Sequence, residues 1–228
     1  MSELCSCENC ELRDLFFKNV TNKEIQWLCT SRIEREYHKG DYLIREGEDI
    51  REFIYLKSGL VKLYTETGEK KEQIITIAKP FDFVSILSIF SNTKYHYSVK
   101  ALEESVTCNL DIEEVKKLIR ENGMFSMSIL EKMSKVSDKI ILESLEIRKR
   151  RLHGRVAYIL LYFADIIYQN HEFELPISRK EIAEYIGMTT ENIIRALTEF
   201  RKDKVIKIFG KGIEIVNYNK LKEISLRG

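Results

Sequence analysis

A carboxylate and a guanidinium four residues apart, Glu191 and Arg195, share a segment with Thr190, Ile194, Thr198 and Arg201. On a helix these six positions fall on one face, the spacing by which side chains reach base edges in a DNA major groove. Ile193, Ala196, Leu197 and Phe200 fall on the opposite face and predict burial against the helix's own domain. The element that must position this helix lies just before it. Ser178 can cap a first helix, Glu181 closes a capping box, Ile182, Ala183 and Ile186 give a buried face, and Gly187 permits a sharp turn before Thr189 starts the second helix. Ser178, Arg179 and Thr189 complete the candidate DNA-contacting set. Two helices around a glycine also occur in helical bundles. Here, however, Lys204–Phe209 and Ile213–Asn217 alternate like two short strands around Gly210-Lys211-Gly212, so the pattern predicts a winged helix-turn-helix.

With 228 residues the chain can form two modest domains, each with a core of its own. Charge divides it the same way: residues 146–228 hold 16 Lys/Arg against 11 Asp/Glu, while residues 1–145 hold 21 against 25. The basic half contains the helix-turn-helix, and a basic surface gains from counterion release on DNA. No run of about 18 apolar residues is present and Met1–Cys5 lacks the regions of a signal peptide, so the expected compartment is the cytoplasm, with no membrane partner. Cys5, Cys7, Cys10, Cys29 and Cys108 form an odd set, which in a reducing compartment favours thiols or metal ligands over a disulfide framework.

Residues 1–21 form a Cys-bearing N-terminal segment and Asn22–Glu36 reads as a short helix. Strand-like segments follow at Phe53–Leu56, Leu60–Tyr64, Ile74–Ile77 and Tyr97–Ala101, separated by turns at Gly40-Asp41, Glu46–Glu48, Lys57–Gly59, Thr67–Glu69 and Lys79-Pro80. Residues 22–122 are therefore expected to form a β-roll, a double-stranded β-helix or jelly roll, ending in a short helix over Leu110–Glu121. Residues 123–147 are expected to form a long helix, strongest from about Met124 to Leu145, and residues 148–228 the DNA-binding domain, an α+β chain in all. The long helix carries Phe125, Ile129, Met133, Val136 and Ile140 at a coiled-coil-like spacing, and a second apolar line of Leu130, Ile141, Leu142 and Leu145. One line can cover the roll while the other meets a partner helix. The first line is assigned as the seam of a homodimer, since two-fold symmetry matches paired half-sites. The charge run Glu146–Arg151 reads as a solvated face or a contact to DNA backbone.

The order of β-roll, long helix and winged helix-turn-helix resembles the CRP/FNR family of transcription regulators, over nearly the whole chain. The carriers are Lys39-Gly40-Asp41, Lys57–Lys62, Ala101–Cys108, Leu152–Leu160 and Ser178–Leu197. The resemblance implies that Glu191 and Arg195 are the base-reading pair. A carboxylate can accept from cytosine N4, and a guanidinium can donate in a fork to guanine O6 and N7. Ile194 stands where relatives often carry Gly or Ser; it can meet a thymine methyl and cannot hydrogen-bond. Thr190 and Arg201 are expected on phosphates, and RNA polymerase is a partner the resemblance implies.

The sensor departs from the cyclic-nucleotide binders of that family. Their phosphate cassette pairs Gly-Glu with a downstream Arg-Ser; here Ser85 and Ile86 hold the first positions and Tyr95-His96 the second. Without that carboxylate and guanidinium, cyclic AMP is not expected, because a phosphate charge would go unpaired. An unidentified small effector against Ser85, Ile86, Tyr95, His96 and Ser137 is the expectation instead. The iron–sulphur branch implies a second sensor: Cys108 matches its roll cysteine, and Cys5, Cys7 and Cys10, more tightly spaced than that branch's pattern, or Cys29, would complete four thiolates for a cluster or zinc. The same sulphurs also read as buried small hydrophobes and a redox-exposed tail. No nucleophile–base arrangement, Walker loop or HExxH is present, and no catalysis is expected. The expected mechanism is a population shift, the signal altering packing along Ile129–Ile140 and moving the recognition helices. The rival reading is a redox or metal-binding protein whose C-terminal helices make protein contacts.

Overall fold

The computed structural model describes residues 19–66, 68, 72–91 and 93–228. The chain divides into two compact units, one of residues up to 63 with 77–139, the other of 64–76 with 140–228.

The first unit starts with helix α1 (Asn22–Thr30), where Thr21 and Glu24 form a reciprocal capping box. The chain then extends into β1 (Ile33–Tyr37), β2 (Tyr42–Ile44), β3 (Glu52–Ser58), β4 (Val61–Glu66), β5 (Glu72–Ala78), β6 (Ser98–Ala101) and β7 (Ser105–Asp111). They form a three-stranded sheet in the order β1-β7-β3 and a four-stranded sheet in the order β2-β6-β4-β5. Phe53, Ile54, Tyr55 and Leu56 are all buried, so β3 is covered on both faces and reads as a continuous apolar run. Gly59 makes the β3–β4 turn with φ 88°, and a Cβ there would lie 2.4 Å from the Glu104 carbonyl oxygen, so only glycine fits. Trp27, on α1, packs against the roll core and lies 4.8 Å beneath the Lys117 ammonium.

Residues 33–37 correct the helix expected to run to Glu36. The helix stops at Thr30, and Ile33–Tyr37 pairs antiparallel with β7 in the register Ile33↔Asn109 to Tyr37↔Ser105. The sequence Ile-Glu-Arg-Glu-Tyr belongs to a largely solvated edge strand, which shows little apolar alternation. Leu110 likewise belongs to β7, and Asp111 caps helix α2 (Ile112–Glu121) through the Glu113 and Glu114 amides.

Helix α3 (Gly123–Lys149) runs a turn beyond Leu145. Of its two apolar lines, the one expected to form the seam starts inside the roll. Phe125 and Ile129 are 1 % and 2 % exposed inside the roll core, and Met133 and Val136 pack against the same core. This corrects the seam assignment at Phe125 and Ile129, since a side chain buried under its own roll presents no surface to a second copy; Met133, Val136 and Ile140 are half-buried. The outward residues are Met124, Met127, Leu130, Ile141, Leu142 and Leu145, with Met127 at 63 % and Leu130 at 55 % exposure.

The second unit contains α4 (Leu152–Leu161), continued by a π-helical stretch Tyr162–Tyr168, then β8 (Glu172–Glu174), α5 (Arg179–Ile186), α6 (Thr190–Lys202), β9 (Ile206–Phe209), β10 (Gly212–Ile215) and α7 (Tyr218–Arg227). The wing is a three-stranded sheet ordered β8-β10-β9, with Ile213 opposite both Phe173 and Ile208. Val156, Ile159, Leu160, Phe163, Ile182, Ile193, Leu197, Phe200, Ile206, Ile213 and Leu221 are buried in this unit.

Candidate DNA-reading site

The site is built outward from local rules. Ser178 accepts from the Glu181 amide while the Glu181 carboxylate accepts from the Ser178 amide, closing the cap of α5. Gly187 ends that helix in the left-handed region at φ 67°, the conformation glycine adopts without a Cβ penalty. Thr189 caps α6 through the Asn192 amide, and Ile193, Ala196, Leu197 and Phe200 seat that helix on the unit's core. The opposite face is then fixed by geometry: Glu191, Ile194, Arg195 and Arg201 are exposed, and Thr190 and Thr198 are half-buried beside them.

The exposed groups carry suitable charges. The Glu191 carboxyl is held below the usual carboxylate range by its own backbone amide and by the Thr189 hydroxyl, so it is an ionised acceptor at neutral pH. Arg195 donates from Nη2 to Asn192 Oδ1 at 3.1 Å, which orients the guanidinium along the helix face. Ile194 is 49 % exposed between them and offers methyl groups only. The Thr198 hydroxyl donates to the Ile194 carbonyl at 2.7 Å. Arg179 donates from Nη2 to the Gly210 carbonyl at 3.3 Å, tying the start of α5 to the wing turn. Ser178 is the helix cap. Asn192 was not singled out in the sequence; its only signal there is its place one turn before Arg195.

Within the charge run at the end of α3, Arg150 is engaged inside the unit, while Arg148, Lys149 and Arg151 are exposed. Arg150 donates from Nε to the Ser225 carbonyl at 2.7 Å, pairs with Glu146, and lies over the Tyr158 ring. Arg155 donates to the Arg150 and Ile186 carbonyls at 2.8 and 2.9 Å, placing one cation at the C-terminal ends of two helices. His153 Nε2 lies 2.6 Å from Glu199 Oε2.

In the roll, the five residues expected to line an effector pocket have separate surroundings. Ser85 is fully buried and its hydroxyl accepts from the Ile54 amide at 2.9 Å; Ile86 is buried in the core cluster. Tyr95 is buried with its hydroxyl donating to the Glu52 carbonyl at 3.3 Å, whereas His96 is exposed and Ser137 lies on the outward side of α3. Three of the five, Ser85, Ile86 and Tyr95, are part of the roll's packing.

Cys5, Cys7 and Cys10 lie outside the described residues. Cys108 is buried on β7, and Cys29 packs against the same core cluster. Among the described residues no group of three His, Cys, Asp or Glu side chains is gathered for a metal.

Comparison with known proteins follows this division. Residues 34–122 match the cyclic nucleotide-binding domain family and residues 154–224 the Crp-like helix-turn-helix domain family. The chain is 28 % identical over 225 residues to the fumarate and nitrate reduction regulatory protein of Yersinia pestis, covering 96 % of this chain and 90 % of that protein. It is 28 % identical over 226 residues to the Escherichia coli K12 protein of the same name, with the same coverage. Among solved structures, a putative transcriptional regulator of the crp/fnr family from Eubacterium rectale has a TM-score of 0.79 at 19 % identity, covering 92 % of this chain and 97 % of that one. FixK2 from Bradyrhizobium japonicum gives 0.74 at 19 %, covering 85 % and 96 %. With a β-roll, a long helix and a capped helix-turn-helix in matching order, the chain belongs to the CRP/FNR family of DNA-binding transcription regulators.

Proposed function

We propose that the protein is a homodimeric regulator that reads paired half-sites through Glu191 and Arg195. The observation that carries this reading is the exposed face of α6, where an ionised carboxylate and an oriented guanidinium stand one turn apart on a helix seated by four buried residues. Glu191 accepts from cytosine N4 and Arg195 donates to guanine, while Ile194 favours a thymine methyl. In this reading Thr190 and Arg201 contact phosphates and set register, and Arg179 is tied to the wing turn through the Gly210 carbonyl.

The dimer surface in this reading is the outward line of α3, Met127, Leu130, Ile141 and Leu145, all exposed in the single chain. Exposed apolar side chains at helical spacing along 27 residues are what a parallel helix pair buries. The signal in this reading is one other than cyclic AMP, because Ser85, Ile86 and Tyr95-His96 stand where the cassette's Gly-Glu and Arg-Ser would be, and the first three pack the roll. A small effector or a redox or metal signal at the cysteines remains the class of input, and RNA polymerase is the partner through which the bound dimer acts. The working compartment is the cytoplasm; no described helix is long and apolar enough to cross a membrane.

The test is a pair of charge insertions, Leu130→Glu with Ile141→Glu, followed by sedimentation and by anisotropy on DNA from the protein's own upstream region. The expected result is a folded monomer whose affinity for a paired site falls on the order of 10²–10⁴-fold, the loss expected when two linked contacts become one. A variant that stays dimeric sinks the interface, and wild-type protein that fails to bind DNA sinks the reading. Calorimetric titration with cyclic AMP is expected to give no heat, and anaerobic spectra with iron and zinc analysis identify a metal-borne signal.

A further inference from the structure

The most unusual charge in the second unit is Glu143, a carboxylate only 7 % exposed in the C-terminal part of α3. It is held from two other elements. The Tyr185 hydroxyl, on α5, donates to Oε1 at 2.5 Å, and the Thr76 hydroxyl, on β5, donates to Oε2 at 3.3 Å. Tyr185 and Thr76 are themselves buried. Burial, and then the neighbouring carboxylate, push the Tyr185 phenol well above its ordinary value, so it stays a donor at working pH.

Burying a carboxylate is costly unless it is hydrogen-bonded, and an apolar side chain here would pack the unit with less penalty. A hydrogen bond, unlike apolar contact, has direction, so it fixes orientation as well as proximity. Tyr185 stands two residues before Gly187, the turn that leads into α6. The next residue, Ile186, has its carbonyl held by Arg155, which also binds the Arg150 carbonyl just past the end of α3. Two polar ties therefore join the last turn of α5 to α3.

We propose that Glu143 is the positioning residue that sets the separation of the two recognition helices. The proposal rests on the homodimer reading above. If α3 is where two copies meet, then α3 is the reference from which each recognition helix is placed, and the Glu143–Tyr185 bond fixes that placement. The residue touches no DNA. It acts on half-site spacing, a property of the pair, and not on the affinity of one reading helix for its bases.

The test compares wild type, Tyr185→Phe, Glu143→Ala and Glu143→Gln on three DNAs: a single half-site, a palindrome of the preferred spacing, and palindromes one base pair longer and shorter. Tyr185→Phe removes one hydroxyl and keeps the ring, so the fold is retained and is checked by thermal denaturation. Tyr185→Phe and Glu143→Ala are expected to leave single half-site affinity within about twofold of wild type. They are expected to weaken binding to the preferred palindrome about tenfold and to flatten the preference among spacings. Glu143→Gln keeps a carbonyl that can accept from Tyr185 and is expected to retain most of the preference. Folded variants with the wild-type spacing preference overturn the proposal. A loss that is equal on single and paired sites also overturns it, since that is a general weakening of the head. Wild-type protein that binds a palindrome no tighter than a half-site overturns the homodimer reading, and the proposal with it.

Discussion

Helix α6 and the roll segment 81–97 each occupy the position where a member of this family would meet a ligand, and they treat their side chains oppositely. On α6 the reactive groups stand outside: Glu191, Ile194, Arg195 and Arg201 are exposed, over a buried row that fixes the helix. In the roll, Ser85 accepts from the Ile54 amide, Tyr97 donates to the Val84 carbonyl at 2.9 Å, and Phe83 packs 4.5 Å from Phe53. These side chains take part in the packing of their own core. The α6 face presents its polar groups to solvent, while Ser85, Phe83 and Tyr97 of the roll are buried.

Substituting one residue on each side breaks this comparison most directly. Arg195→Ala is expected to remove a forked contact in each half-site, about 1–3 kcal/mol per site and so roughly 2–6 kcal/mol on a palindrome, while thermal stability stays unchanged. Anisotropy on cognate and scrambled DNA measures it, and an unchanged ratio of the two affinities would remove α6 from the reading role. Ser85→Ala is expected to behave in the reverse way. It orphans the Ile54 amide and costs about 1–3 kcal/mol of stability in denaturant titration, with DNA discrimination unaffected once the protein is folded.

A smaller effect concerns charge in the roll. Burial alone would raise the Glu52 carboxyl, but the Arg35 guanidinium, at 2.5 and 2.7 Å, and the Asn109 amide, at 2.8 Å, outweigh it and hold it below its ordinary value. A carboxyl depressed on folding adds stability above its unfolded value, about pH 4.3, and loses it as pH falls through the folded value. The stability gap between wild type and Glu52→Gln is therefore expected to be full at pH 7 and to shrink below about pH 4. A gap that is constant down to pH 3 would show that the Arg35–Glu52 pair contributes through shape and not charge.

How far the sequence alone could lead depended on the range of the interactions involved. Ser178, Glu181, Gly187 and Thr189 were legible because caps and left-handed glycines act within four residues. The wing turn at Gly210 was legible for the same reason, whereas β8, which pairs with β10 from some forty residues away, was not. The two apolar lines of α3 are equivalent in sequence. Only the roll, by taking Phe125 and Ile129 into its core, decides that Leu130 and Ile141 face outward. Glu143 was hidden for the opposite reason: a glutamate among Leu142, Ser144 and Leu145 reads as solvated, and its burial depends on Tyr185 and Thr76, distant in the chain.

Trp27 carries a practical consequence. It is the single tryptophan of the chain and it belongs to the roll, packed on α1 under Lys117. Indole emission therefore follows the sensor unit alone, and the reading head is dark in that channel. Circular dichroism at helical wavelengths sees both. Melting curves recorded by the two probes would coincide if the units unfold together and separate if they do not, so the cooperativity between sensing and reading can be measured with no label at all.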